Sequence, residues 1–145
     1  MKLGMSNALI GPTSDLGIEL SKGANTYFNR MNKFGGIHNR LITIISLDDG
    51  YEPKNTVRNT KNLIEQEVLA LFNYVGTPTS HAILPILTKS QVPYLMPFTG
   101  ADFLRKPTSN NIFNLRASYY QEMKSQIDYL INIQNVKKNC LSDSS

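Results

Sequence analysis

The sequence predicts an α/β fold: a doubly wound parallel sheet in the flavodoxin-like strand order 2-1-3-4-5. Three observations predict it. Apolar runs alternate with stretches of helical periodicity at intervals of about 25–30 residues, the spacing of strand–helix units with right-handed crossovers. Two of the runs, Leu3–Ala8 and Val68–Phe72, suit adjacent central strands covered on both faces. Small hydroxyl and glycine residues follow successive strands, where the carboxyl edge of a parallel sheet presents its ligand crevice.

The first strand, Leu3–Ala8, ends in the loop Leu9–Asp15. Asp15 is expected to cap a helix reaching Asn32, with Leu16, Leu20, Ala24, Tyr27, Phe28 and Met31 at helical spacing. Phe34-Gly35-Gly36 stops it. The β-branched run ending at Leu47 (LITIISL) reads as a strand buried on both faces. Asp48-Asp49-Gly50 turns the chain, and Pro53 opens a helix to Glu67. Val68–Phe72 is the third strand. Thr77 then caps a single helix to Lys89, with Pro78 in its first turn, where a missing N–H costs nothing. Pro93–Met96 and Asn111–Leu115 are the fourth and fifth strands. Ser118 caps a last helix to Ile133, with Tyr119, Met123, Ile127 and Leu130 on one face. After it the alternation calls for another apolar strand. Residues 135–145 supply a polar tail instead, so the chain reads as a domain of residues 1–134 cut in mid-pattern.

The 145 residues are enough for one domain with a real core. Net charge is +4, but the lysines and arginines are scattered apart from Lys137-Lys138. There is no basic stripe interleaved with aromatics, so no nucleic-acid partner is expected. No apolar run approaches the roughly 18 residues of a membrane-spanning helix, and the N-terminus carries no signal-peptide core. The single cysteine, Cys140, excludes an intramolecular disulfide and a cysteine cage for zinc.

The motifs of the common catalytic and cofactor sites are missing. No G-x-G-x-x-G, P-loop or G-x-S-x-G elbow occurs. His38 and His81 have no nucleophile beside them in sequence. Asp48-Asp49 is better explained by turn hydrogen bonding than by a metal or acid/base pair. Neither cofactor nor metal is expected, and no enzyme activity. The candidate site is a crevice formed by Gly11–Leu16, Gly76-Thr77 and Phe98-Thr99-Gly100, with Arg116 and Tyr119 beside it. Thr77, Thr79 and Ser80 could equally be helix-capping residues.

The stretches KLGMSNALIGPTSDLG, GANTYFNRMNKFGGIHNR, LDDGYEP, NYVGTPTSHAILPI, VPYLMPFTGADFLR and FNLRASYYQE, in this order, resemble the type I substrate-binding proteins of bacterial ABC importers, in particular the branched-chain amino acid and amide receptors. The resemblance covers nearly all of residues 2–134. It implies a two-lobed protein of which this chain is the N-terminal lobe. It also implies that Gly76, Thr77, Phe98, Thr99 and Gly100 hold the α-carboxylate and α-ammonium of an amino acid or similar small carboxylate, with Leu16 over the ligand side chain. Leu16 is smaller than the usual aromatic, Phe98 is larger than the usual small residue, and Gly100 stands where a hydroxyl residue is common. A disulfide that some members carry would fall on Tyr51 and Gly76 and is absent. A permease partner and a periplasmic or extracellular location follow from the same resemblance. Three further readings stand beside it: a ligand-sensing domain of a membrane receptor, a small flavodoxin-like enzyme, and a truncated remnant without function.

Overall fold

The computed structural model describes residues 1–105 and 110–136. In chain order it contains β1 (Lys2–Asn7), α1 (Ser14–Lys33), β2 (Thr43–Asp48), α2 (Pro53–Glu65), β3 (Ala70–Phe72), α3 (Thr77–Ala82), α4 (Leu84–Ser90), β4 (Tyr94–Leu95), a 3₁₀ turn (Asp102–Leu104), β5 (Ile112–Phe113) and α5 (Tyr119–Asn132). The strands form one parallel sheet in the predicted order, β2-β1-β3-β4-β5. β1 lies between β2, where Lys2 pairs with Thr43, and β3, where Leu3 pairs with Ala70. The two expected central strands are therefore parallel neighbours.

Alternation along β3 divides the core between the sheet faces. Leu71 points to one side, into a cluster with Leu63, Val68, Tyr74, Ile83, Leu87, Tyr94 and Leu104, covered by α2, α3 and α4. Ala70 and Phe72 point to the other, with Leu3, Ile42 and Phe28 of α1. The rings of Phe28 and Phe72 meet edge to face at 5.8 Å. β1 and α2 approach closely because residue 4 is glycine: a Cβ there would stand 3.1 Å from both Leu63 methyl carbons.

Several expectations are corrected. The helix expected over 77–89 is two helices. Pro85, in the first turn of α4, has no N–H to offer the carbonyl four residues back. The chain turns at Ile83, and the Ile83 carbonyl instead receives the N–H groups of Ile86 and Leu87 at 2.9 and 3.0 Å. α1 begins at Ser14, so Asp15 lies inside its first turn rather than capping it. β2, read as covered on both faces, is an edge strand with a half-buried interior. The capping of α5 is as expected, a reciprocal box in which Ser118 Oγ accepts from the Gln121 N–H and Gln121 Oε1 accepts from the Ser118 N–H. Its apolar face is another matter. Met123, Ile127 and Leu130 are exposed, and α5 buries no residue against the described part of the chain. Most of the tail, residues 137–145, lies outside the described residues.

Candidate functional site

Polar side chains tie the loops at the carboxyl edge of the sheet. Asn7, at the end of β1, accepts the Val75 N–H on Oδ1 at 2.7 Å and donates from Nδ2 to the Asn73 carbonyl at 3.2 Å. This fixes the chain between β3 and α3. Asp48 Oδ1 accepts the N–H groups of Leu9 and Ile10 at 2.7 and 3.2 Å, fixing the loop after β1. Asp49 is fully buried and accepts from Ser6 Oγ at 2.8 Å, Thr56 Oγ1 at 3.1 Å and the Tyr51 N–H at 2.9 Å. The acidic pair therefore serves turn structure, as expected.

The helix start after β3 differs from expectation by one residue. The cap of α3 is Gly76, at φ +110°, and Thr77 is the first helical residue. Thr77 is thereby released from capping. Its Oγ1 lies 2.7 Å from Thr99 Oγ1 and 3.4 Å from the Tyr119 hydroxyl, and Thr99 Oγ1 lies 3.3 Å from the same phenol. Three hydroxyls, from the ends of β3, β4 and β5, form a triangle. The neighbouring candidates have structural duties. Thr79 donates back to the carbonyls of Val75 and Gly76, and Ser80 is bonded to the buried Tyr94 phenol at 2.8 Å.

In front of the triangle is an open crevice of about 420 Å³. Of the residues proposed from the sequence, Leu16, Gly76, Thr77, Phe98 and Tyr119 line it. Thr99 is buried behind the rim and reaches the crevice only through the triangle. Gly100 also stands behind, and Tyr119 occupies the space beside it: a Cβ at residue 100 would lie 2.6 Å from Tyr119 Cδ1. Pro12, Thr13 and Asp15 of the expected Gly11–Leu16 loop also line it, together with Tyr51 and Val75, which the sequence reading did not name as site residues. Tyr51 had a sequence signal, an aromatic residue placed just after the Asp-Asp-Gly turn. Its Cε2 comes within 2.6 Å of where a Cβ at Gly76 would be, so only glycine allows the contact.

Arg116 closes one end of the crevice. Its guanidinium sits 5.1 Å from the Phe98 ring centroid and 5.4 Å from that of Tyr119, cation–π distances to both. Nε and Nη2 bond Glu122 Oε1 and Oε2 at 2.7 and 2.9 Å. The Arg116 hydrogen bonds hold the Glu122 carboxyl below its ordinary range. A depressed carboxyl pKa gives an interaction present above the unfolded value and lost as pH falls through the folded one. Acid titration of Glu122 Cδ by NMR is thus expected to show a midpoint below that of an ordinary glutamate, and Arg116→Gln to raise it. An unmoved midpoint would show that the pair does not persist in solution. The Tyr119 phenol is also lowered, first by its bonds to Thr77 and Thr99, then by a backbone bond from Gly100 and last by nearby Arg116.

His81 packs edge to face on Phe103 at 5.2 Å, and His38 occupies a left-handed turn position at φ 49°. Among the described residues, no group of three His, Cys, Asp or Glu side chains is placed to hold a metal ion, and no helix is long and apolar enough to cross a membrane.

Comparison with known proteins agrees with this architecture. Residues 1–143 match the family model described as periplasmic binding protein. A possible leucine/isoleucine/valine-binding protein from Rhodopirellula baltica superposes with a TM-score of 0.84 at 39% identity, over 91% of this chain and 36% of that one. A substrate-binding periplasmic protein from Ralstonia solanacearum gives 0.85 at 30% identity, over 92% and 38%. A Leu/Ile/Val-binding protein homolog from Brucella melitensis is 24% identical over 136 residues, 94% of this chain and 37% of its own length. The chain thus spans a little over a third of the relatives it matches. The family and relatives that the chain resembles are described as binding proteins. The chain belongs to the periplasmic binding protein family.

Proposed function

We propose that residues 1–134 form the N-terminal lobe of a solute-binding protein of an ABC importer, which holds an amino acid or similar small carboxylate between two lobes without transforming it. The observation that carries this reading is the triangle of Thr77, Thr99 and Tyr119 on the crevice. Three hydroxyls hold three protons on rotors, so they can bond one another when the site is empty and turn outward to a carboxylate when it is filled. Gly76 lets the chain approach the ligand closely, and Phe98 adds its backbone to the polar wall. Leu16, Pro12, Tyr51 and the Phe98 ring give the crevice its apolar wall for a ligand side chain. A hinge closing the second lobe over this wall would signal occupancy to a membrane permease. The names of the Brucella and Rhodopirellula relatives support an aliphatic amino acid as ligand, and the description of the family supports a periplasmic location.

One wall buries only part of a ligand, whereas small-molecule sites bury about 70–90% of its surface. Calorimetric titration of the 145-residue chain with leucine, isoleucine, valine and phenylalanine is expected to show no saturable heat at micromolar concentration. At millimolar leucine, NMR shifts are expected in the amides of Thr77, Phe98, Thr99 and Tyr119. Shifts elsewhere alone would overturn the site, and micromolar binding by a monomer would overturn the need for a second lobe. The uncovered face of α5 makes the chain prone to associate, which sedimentation velocity would show as a coefficient rising with concentration.

A further inference from the structure

The triangle joins groups from three loops, and its shortest edge, Thr77 to Thr99, is set by neighbouring strands. Its third corner comes from farther away, across the connection from β5 to α5. One side chain outside the crevice spans that gap. Arg105 follows the 3₁₀ turn, and its Nη1 donates to the Ala101 carbonyl at 2.8 Å. Its Nη2 lies 2.6 Å from the Arg116 carbonyl, 3.0 Å from that of Ala117 and 3.4 Å from that of Thr99. The guanidinium thus grips two carbonyls on the loop that carries Thr99 and two on the segment that leads into Tyr119. The two segments also share the Tyr119 N–H bond to the Gly100 carbonyl, at 2.9 Å.

We propose that Arg105 is a positioning residue of the ligand site, clamping Thr99–Ala101 to Arg116–Ala117 so that the Tyr119 hydroxyl stays on Thr77 and Thr99. The importance of the triangle to a ligand rests on the proposed function; the clamp itself does not. Arginine suits the task because its planar fork aims several donors in fixed directions, and charge-assisted bonds are stronger than neutral ones. Lysine offers a point charge and cannot span four carbonyls. Arg105 does not line the crevice, so it acts on ligand only through the groups it holds.

Tyr119 reports on the clamp without any ligand. The bonds from Thr77 and Thr99 lower its phenol, Arg116 over the ring adds to this, and Glu122 bonds that arginine from beyond. The experiment is an NMR titration of tyrosine ¹³Cζ on the whole chain, with Tyr119→Phe assigning the signal. Wild type should titrate below the ordinary tyrosine range. In Arg105→Gln the Tyr119 midpoint should rise toward that range while the other tyrosines stay in place, and in Arg105→Lys it should rise part of the way. A folded Arg105→Gln with an unmoved Tyr119 midpoint would overturn the proposal. If the glutamine variant does not fold, the lysine variant decides on the same criterion. Loss of the fold in both would assign Arg105 to the stability of the domain rather than to the site. Absence of any amide shift at the crevice with millimolar amino acid would sink the proposed function and leave this readout intact.

Discussion

Replacing Asp49 with alanine is expected to lower the stability of this domain by about 2–4 kcal/mol, with a fall in melting temperature of about 10 °C. The carboxylate is fully buried and receives three donors from three places: the end of β1, the turn itself and the first helical turn of α2. Its removal leaves the Tyr51 N–H and the Ser6 hydroxyl proton without acceptors, at about 1–3 kcal/mol each. Thr56 loses less, since its hydroxyl also reaches the Glu52 carbonyl at 3.1 Å. Asparagine should cost about half as much, because its oxygen still serves Tyr51 while the Ser6 and Thr56 hydroxyls turn to accept. Urea denaturation with an unchanged m-value would measure both changes. A loss below about 0.5 kcal/mol for alanine would mean that the buried network relaxes or admits water. The effect should also reach the crevice, since Tyr51 lines it and packs on Gly76.

The contrast between Asp49 and Arg105 shows what the sequence can carry. Asp48-Asp49-Gly50 is legible as a turn because its side chains bond neighbouring backbone, and local chemistry of that kind is written in adjacent residues. The order of strands and helices is legible for the same reason: periodicity is local, and the parallel order follows from the crossovers it implies. The break at Ile83 was also local. Pro85 announced it, but the apolar spacing on either side obscured it. The shift of the cap from Thr77 to Gly76 could not be read in advance, because both residues suit the position and only the backbone at φ +110° decides. The Arg105 clamp was hidden entirely. It consists of bonds to backbone carbonyls between 4 and 12 residues away, and carbonyls carry no residue identity. For α5 the amphipathic stripe was legible, but what covers it is not encoded within the stripe itself.

Gly100→Ser is expected to disrupt the proposed ligand site. The family resemblance leads one to look for a hydroxyl at this position, which serine would restore. The structure says otherwise. A Cβ at residue 100 would stand 2.6 Å from Tyr119 Cδ1 and 2.8 Å from the Tyr119 backbone nitrogen, closer than real contacts allow. The ring could swing away, but the nitrogen is held by its bond to the Gly100 carbonyl, so the segment entering α5 must shift as well. Overpacking of this kind costs about 1–3 kcal/mol. The larger consequence is geometric. Tyr119 provides the third hydroxyl of the triangle from across the crevice, and a side chain at residue 100 displaces it. The variant exchanges a phenol placed by two loops for a hydroxyl with no place prepared for it. NOEs from the Tyr119 ring to the Thr77 and Thr99 methyl groups should be present in the wild type and absent in the variant. Amino acid affinity, measured in a protein carrying both lobes, should fall at least about tenfold, or 1.4 kcal/mol. Retained NOEs with unchanged stability would show that the segment moves aside freely and that glycine is dispensable here. Retained NOEs with improved affinity would make residue 100 itself the place where the ligand seeks a hydroxyl, and would remove Tyr119 from the binding site.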